Sequence, residues 1–342
     1  MSGLETIVNR YRQSWIWGWI AVGVMLGSIW NPAEAQQVRQ AYRIGVLNEA
    51  QSEHDPTVQG LKAGLEELGL KEGRDVTFDI RFTKGETEST RVAAAALATA
   101  GVDLLFTSYE GPTQVAKDTT QKIPIIFTLV GDPVAANLLA GTLWEADRLS
   151  HPGGNVTGVS SLAAELAPKR LEALKRLVPT LQRVWAVYYA ADASALAAVQ
   201  KGEEAAPRLN LRLVPKPVFN SEQVGRILRD LKPGDGLLAP DSNVLEIPAL
   251  ILKVSLAARI PAVFPTADWV ARGGLVSYGP DYYAQGVQAA RLVAKVLRGV
   301  RTQDLPVEGA DRIDLAVNLK TAALLGVQVP PKVLLRADRV ER

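Results

Sequence analysis

The sequence predicts an α/β fold built from two parallel sheets, and two observations support this. Short apolar runs rich in β-branched residues alternate with longer amphipathic segments along the chain, a pattern typical of βαβ units. Once residues 1–35 are set aside, the remaining chain is too long for one small domain and suits two lobes of ordinary size. Because parallel crossovers are right-handed, we expect helices on both faces of each sheet.

The first half of the chain predicts one sheet. Its apolar runs predict strands at 42–47, 76–82, 102–107, 124–130 and 155–159. Helical patterns separate these strands, at 57–68, 88–100, 112–121 and from 133 onward. The first helix carries Val58, Leu61 and Leu65 on one face, which is the spacing of an amphipathic helix, and Gly69 ends it.

The second half repeats the pattern. Strands are predicted at 184–189, 211–219, 236–239, 261–264, 275–278 and near 313–317. Helices are predicted at 166–177, 193–206, 222–231, 243–258, 282–297 and 319–325. Since both halves share one architecture, we expect two similar lobes.

The N-terminus has the order of a secretory signal. Arg10 and Arg12 precede an apolar run at residues 15–30, and Ala-Glu-Ala follows at residues 33–35. A retained transmembrane anchor is the alternative, because the run approaches the length of the shortest spanning helices, ~17 residues. Pro32 and the Ala-x-Ala site favour cleavage after Ala35 and release into a periplasm. The chain has no Cys, so no lipid-modified cysteine can anchor it.

Composition excludes several classes of function. The formal net charge is +2, so nothing indicates nucleic acid or an anionic membrane surface as a partner. The absence of Cys excludes disulfides, thiolate metal sites and cysteine nucleophiles. There is no dinucleotide fingerprint after the first strand, no phosphate-binding loop and no Gly-x-Ser-x-Gly elbow. We therefore expect no cofactor and no enzymatic activity.

Candidate ligand-binding residues follow the predicted strands, because open α/β sheets bind ligands at the carboxyl ends of their strands. In the first half these are Asn48, Ser108, Tyr109, Glu110, Gly131 and Asp132. In the second half they are Tyr189, Asp241, Ser242, Tyr278 and Asp281. Backbone N–H groups at helix starts could hold a ligand carboxylate, and Glu110, Asp132 or Asp281 could hold an ammonium group. Tyr109, Tyr189, Trp269 and Tyr278 could stack on a flat ligand.

Simpler roles compete with these assignments. Asp55-Pro56 and Asp132-Pro133 each place Asp at an N-cap and Pro at the first helical position, which is more often a cap than a ligand contact. Strand-end carboxylates could form an acid/base pair or could equally be caps. His54 and His151 lie far apart in sequence and are more often solvated loop residues than ligands, so we predict no metal site.

Several stretches, in order, make the chain similar to the ABC transporter substrate-binding protein family, which includes tryptophan- and tyrosine-uptake proteins. The most specific are IGVL at 44–47, GLKAGLEELG at 60–69, VGDPV at 130–134, PGGNVTG at 152–158, KRLE at 169–172, GGLVSYGPD at 273–281, LPVE at 305–308 and NLKTA at 318–322. The resemblance covers nearly all of residues 42–340. Two places depart from the family: residues 135–150 form a longer link, and His54-Asp55 replaces a plainer turn.

The resemblance implies the type I periplasmic-binding fold, with two Rossmann-like lobes joined by three crossovers around a ligand cleft. It implies an N-terminal lobe of residues 42–161 plus 281–302 and a C-terminal lobe of residues 162–280 plus 303–342. The loops at 108–113, 131–133, 240–243 and 278–281 would line the cleft. The ligand would be a small polar molecule, with an amino acid or a relative favoured, but specificity for aromatic amino acids does not carry over because the first loop departs from the family.

The implied partners are an inner-membrane ABC permease and its ATPase subunit. The mechanism would be hinge closure around the ligand, followed by docking on the permease. A periplasmic sensor module of the same fold is the alternative, and an exported α/β enzyme is a third class. A repressor of this fold would need an N-terminal helix-turn-helix, where this chain has the predicted secretory signal.

Overall fold

The computed structural model describes residues 41–49, 55–140, 145–242 and 244–342. The predicted secretory signal, its cleavage site and His54 lie outside these residues. Among the described residues, no helix is both long enough and apolar enough to cross a membrane.

The first sheet has six strands, all paired in parallel, in the order β11-β5-β4-β3-β1-β2. Its strands are β1 Tyr42–Asn48, β2 Val76–Phe82, β3 Leu104–Ser108, β4 Ile125–Val130, β5 Val156–Ser160 and β11 Glu308–Gly309. Strands β3, β4 and β5 are buried along their whole length, as expected for a parallel sheet covered on both faces.

The second sheet has seven strands in the order β13-β12-β10-β9-β8-β6-β7. Its strands are β6 Arg183–Tyr189, β7 Arg212–Val218, β8 Asp235–Leu238, β9 Ala262–Phe264, β10 Val276–Pro280, β12 Ile313–Asn318 and β13 Arg339–Glu341. All neighbours are parallel except β10 and β12, which pair antiparallel. The predicted α/β class with mostly parallel sheets is confirmed.

Helices connect the strands of both sheets. They are α1 Pro56–Glu67, α2 Thr87–Thr99, α3 Glu110–Thr119, α4 Glu145–Ser150, α5 Ala163–Leu177, α6 Ala193–Ala205, α7 Ser221–Arg229, α8 Ile247–Ala258, α9 Ala267–Ala271, α10 Tyr282–Leu297, α11 Leu319–Leu324 and α12 Pro331–Leu334. Asp55 caps α1 as predicted, because its carboxylate accepts hydrogen bonds from the N–H groups of Thr57 and Val58.

The helix predicted from residue 133 does not form. The Asp132 carboxylate accepts hydrogen bonds from the N–H groups of Val134 and Ala135, as a cap would, but residues 133–137 make only a turn. Asn137 then adopts a left-handed backbone with φ 52°, which right-handed helix geometry does not allow. Polar capping is therefore present here without a helix to follow it.

The chain passes between the two sheets three times, after β5, after β10 and after β11. The last passage lies later than residue 303, where the C-terminal segment was predicted to enter the second lobe. Glu308 and Gly309 pair with Val159 and Ser160 of β5, and Leu305 is buried in the core of the first sheet. Burial of the Leu305 side chain and this strand pairing hold residues 303–309 on the first sheet. The other predicted lobe boundaries stay a prediction.

Helices α1 and α10 cross each other at unusually close range. A Cβ added to Gly60 would lie 2.0 Å from the carbonyl oxygen of Tyr283, and one added to Gly286 would lie 2.0 Å from that of Thr57. Both distances are far below van der Waals contact, so this crossing requires glycine on both helices. It fixes α10, the first element after the second passage, onto the first sheet.

Candidate functional site

A cavity of about 650 Å³ lies between the carboxyl ends of the strands of the two sheets. From the first sheet it is lined by the loops after β1, β3 and β4, and from the second by the loops after β6 and β8. Helix α5 adds Ala163, Ala167 and Arg170 to the lining, and residues of α2, α3 and α6 contribute as well. The topology therefore brings the candidate strand ends together, as the strand-end rule predicts.

Six of the eleven predicted site residues line this cavity. They are Tyr109, Glu110, Gly131, Tyr189, Asp241 and Ser242. Their contact with a ligand stays a prediction.

The other five do not line the cavity. Asn48 and Ser108 are fully buried, and the Asn48 amide donates to the Ser108 hydroxyl at 3.2 Å. Asp132 caps its own turn. Tyr278 offers its backbone carbonyl to Arg170 Nε at 2.9 Å. Each of these residues follows or ends a strand, yet its polar group is directed at the protein instead of the cavity.

Asp281 also lies away from the cavity, for a separate reason. Its carboxylate caps α10 by accepting the N–H of Ala284 at 3.0 Å, and it pairs with Arg339 at 2.5 Å and with Arg312 at 3.9 Å. Asp281 therefore joins the start of α10 to the segment that returns to the second sheet. Its carboxylate has a structural role here.

Tyr109 sets the position of Glu110. Its φ of 73° lies in the left-handed region, which costs a non-glycine residue on the order of 1–3 kcal/mol when the surroundings enforce it. This conformation ends β3 and starts α3 directly at Glu110, two residues before the predicted helix start. Glu110 is thereby the first residue of a helix that begins at the cavity wall.

Three carboxylates, those of Glu49, Glu110 and Asp192, repel one another at the cavity. Burial, together with the charges of Asp192 and Glu110, raises the pKa of Glu49 to about 8. Burial and, to a smaller extent, the charge of Glu110 raise the pKa of Asp192 to about 6. A hydrogen bond from Ala195 N–H acts in the opposite direction. Among the described residues, no ion pair with Lys or Arg is found for these three side chains.

Asp241, in contrast, has its own cation. The Arg170 side chain is 1% exposed and donates to both carboxylate oxygens of Asp241, with Nη2 to Oδ1 at 2.9 Å. Its Nε is bound to the Tyr278 carbonyl. This bidentate geometry neutralises Asp241 and uses every nitrogen of Arg170.

Ser194 connects the two sides of the cavity. Its hydroxyl donates to Glu110 Oε2 at 2.7 Å and accepts from the backbone N–H of Asp132 at 3.0 Å. Ser194 lies in the first turn of α6, in the second half of the chain, whereas both partners follow strands of the first sheet. One side chain therefore bridges the cleft.

Four important residues were missed by the strand-end interpretation: Glu49, Arg170, Asp192 and Ser194. Glu49 directly follows Asn48 at a strand end, and Asp192 stands three residues before Ala195, which is the spacing of a helix N-cap. Both residues could therefore have been found from the sequence. Arg170 lies inside a helix, where sequence offers no sign of its burial. No group of His, Asp or Glu side chains arranged to hold a metal ion is found in the described part of the chain.

Comparison with known proteins identifies the family. Residues 45–341 match the family model described as ABC transporter substrate binding protein. A tyrosine-binding protein of Clostridioides difficile (strain R20291) is 28% identical over 276 residues, which are 80% of this chain and 77% of that protein.

Two solved structures are also similar. One is an ABC domain in complex with L-Trp from Streptococcus pneumonia, with a TM-score of 0.78, 25% identity, and coverage of 88% of this chain and 99% of that one. The other is the ligand-free, open structure of a substrate binding protein with adhesive properties from Clostridium difficile, with a TM-score of 0.66, 26% identity and the same coverage. The fold is the type I periplasmic-binding fold, and the chain belongs to the ABC transporter substrate-binding protein family.

Proposed function

We propose that this protein is the periplasmic ligand-binding component of an ABC uptake transporter, and that it binds a small ammonium-bearing ligand, an amino acid or a relative, by hinge closure. The cavity wall carries the observation that supports this most directly. Glu49, Glu110 and Asp192 face one another across a cavity large enough for a drug-sized molecule, and no protein cation neutralises them among the described residues.

A ligand cation would relieve this repulsion. Two like charges at 4 Å cost ~4 kcal/mol at an effective dielectric constant of 20, and an ammonium group placed among them replaces repulsion with attraction. Tyr109 and Tyr189 add flat apolar surface to the same wall, on which the body of the ligand can pack. Trp269, which was also predicted to stack, instead packs on Phe264 with ring centroids 5.9 Å apart.

Hinge closure is supported by the contacts across the cleft. Ser194 holds the two sides together through Glu110 and the Asp132 backbone. At equal coverage, the fold is also more similar to the Trp-bound relative than to the open, ligand-free one, with TM-scores of 0.78 and 0.66. Both observations favour a closed arrangement of the lobes.

Binding can be measured by calorimetry with the purified protein and the L-amino acids, including tyrosine and tryptophan because relatives bind them. We expect saturable one-to-one binding by at least one of them or by an amine derivative. Asp192→Asn should weaken that binding at least tenfold, whereas Glu204→Gln, which removes an exposed carboxylate from the same helix, should not change it. Binding that is insensitive to Asp192→Asn would place the ligand elsewhere.

The transport role needs a separate measurement. A strain lacking this protein should lose uptake of the radiolabelled ligand and regain it with the wild-type chain. Normal uptake in the deletion strain, combined with normal binding in vitro, would favour the sensor alternative over the transporter.

A further inference from the structure

We infer that the ligand of this cavity carries a net positive charge, that is, that the site takes an amine or a polyamine in preference to the zwitterionic amino acid with the same side chain. This inference rests on the proposed function and narrows its ligand class. A zwitterion needs a place for its carboxylate as well as for its ammonium group. In the described wall of the cavity, the helix starts that would hold a carboxylate are occupied by the protein's own acids or lie beside them.

The N-terminus of α6 is the first place where a ligand carboxylate would bind, and it is already filled. The Glu110 carboxylate accepts from Ser194 N–H at 3.4 Å and from the Ser194 hydroxyl at 2.7 Å. The next two N–H groups, those of Ala195 and Leu196, donate to the carboxylate and the backbone carbonyl of Asp192. The Ser194 and Ala195 groups of a helix start that would otherwise favour an anion are thus already bound to the protein's own acids.

The N-terminus of α3 is the second such place, and acidic side chains also lie beside it. Glu110 is its first residue, and Pro112 supplies no N–H. Glu49 Oε2 lies 3.7 Å from the position that a Cβ would occupy on Gly111. A ligand carboxylate placed on these N–H groups would therefore lie close to the Glu49 side chain.

The two arginines of the wall do not compensate. Each of the three guanidinium nitrogens of Arg170 donates a hydrogen bond, two to the Asp241 carboxylate and one to the Tyr278 carbonyl. Arg91 is 68% exposed on α2 and lies 4.0 Å from Glu88. The lining contains Glu49, Glu110, Asp118, Asp192 and Asp241 against these two cations, so its balance favours a ligand that brings positive charge.

The test compares each L-amino acid with the amine that differs only by loss of the carboxylate. Suitable pairs are tryptophan and tryptamine, tyrosine and tyramine, lysine and cadaverine, and arginine and agmatine, with putrescine and indole-3-propionate added. We expect at least one amine to bind at least tenfold more tightly than its amino acid, and indole-3-propionate not to bind. If amino acids bind as tightly as their amines or more tightly, the inference is wrong and the proposed function stands. If nothing in the panel binds, the proposed function and the inference fail together.

A variant separates charge selection from general damage to the site. Glu110→Gln removes one negative charge while its amide oxygen can still accept from Ser194, so it should weaken amine binding while leaving amino acid binding equal or stronger. The ratio of the two affinities should therefore fall at least tenfold. An equal loss for both members of a pair would mean that Glu110 shapes the site without selecting charge.

Discussion

Arg170 and Asp241 illustrate how one residue pair serves both the fold and the site. Arg170 is 1% exposed, and its guanidinium joins α5, the loop after β8 and the carbonyl of Tyr278 in β10. Asp241→Asn would leave this guanidinium buried without its countercharge. Removing one partner of a buried pair costs about 3–5 kcal/mol, and we expect a loss of that order in the free energy of unfolding, measured by urea denaturation.

A surface ion pair provides the comparison. Arg226 and Glu222 on α7 are 64% and 80% exposed, so Glu222→Gln should change stability by less than about 0.5 kcal/mol. If Asp241→Asn were equally mild, the Arg170 pair would contribute no more than a solvent-exposed contact.

At the scale of single residues, about half of the candidates predicted from the sequence, six of eleven, line the cavity. Tyr109, Glu110 and Asp241 could be predicted because each lies within three residues of the end of a predicted strand. Asp281 also follows a strand, but it forms an ion pair with Arg339 from a strand near the C-terminus. No local sequence pattern predicts such an ion pair. Which strand-end carboxylate caps a helix and which faces a ligand is thus decided by partners distant in sequence.

The elements themselves were more predictable, because hydrophobic periodicity is local. The order of the longer strands and helices follows from it, and most of their bounds agree within a few residues, but the short elements β11, β13, α9 and α12 were not predicted. The exceptions have local causes that periodicity does not contain. Asn137 stops a helix by its left-handed backbone, and Leu245 and Glu246 do the same before α8, with φ of 56° and 53°.

The crossing of α1 and α10 gives a prediction at the scale of elements. Gly286→Ala would place a methyl group 2.0 Å from the Thr57 carbonyl oxygen, so the helices must separate. Overpacking of this kind costs about 1–3 kcal/mol, more than the ~0.5–1 kcal/mol that alanine gains over glycine in a helix. We therefore expect a lower midpoint in thermal unfolding.

Gly225 on α7 is the matched control. The nearest atom to a Cβ added there is the Arg229 guanidinium at 3.9 Å, so Gly225→Ala should be neutral or stabilising. Equal effects of the two substitutions would show that close packing of α1 and α10 does not govern Gly286.

At the scale of the whole molecule, the fold places repelling carboxylates from both sheets at one cavity. Glu49 and Glu110 follow strands of the first sheet, and Asp192 follows β6 of the second. Folding brings them together without a protein countercharge among the described residues, which opposes stability whenever they ionise. This is the stability–function compromise expected of a site that awaits a charged ligand.

The pH dependence of the ligand-free protein follows from this compromise. The pKa of Glu49 is about 8 in the folded protein and 4.5 as its ordinary value, so between these pH values the folded state binds more protons than the unfolded state. Stability from this group is therefore complete below pH 4.5 and declines as pH rises towards 8. Asp192 acts in the same direction between pH 3.8 and about 6.

Glu49→Gln removes the larger of these two contributions. The variant should therefore gain stability relative to wild type as pH rises from 5 to 8, by at most ~1.4 kcal/mol per pH unit. Urea unfolding at several pH values measures this difference, and Glu204→Gln on the exposed face of α6 should give a curve parallel to wild type. If the Glu49→Gln curve is also parallel, neither burial nor the neighbouring charges raise the pKa of Glu49 in the folded protein. Glu49 would then not be buried among like charges at the cavity.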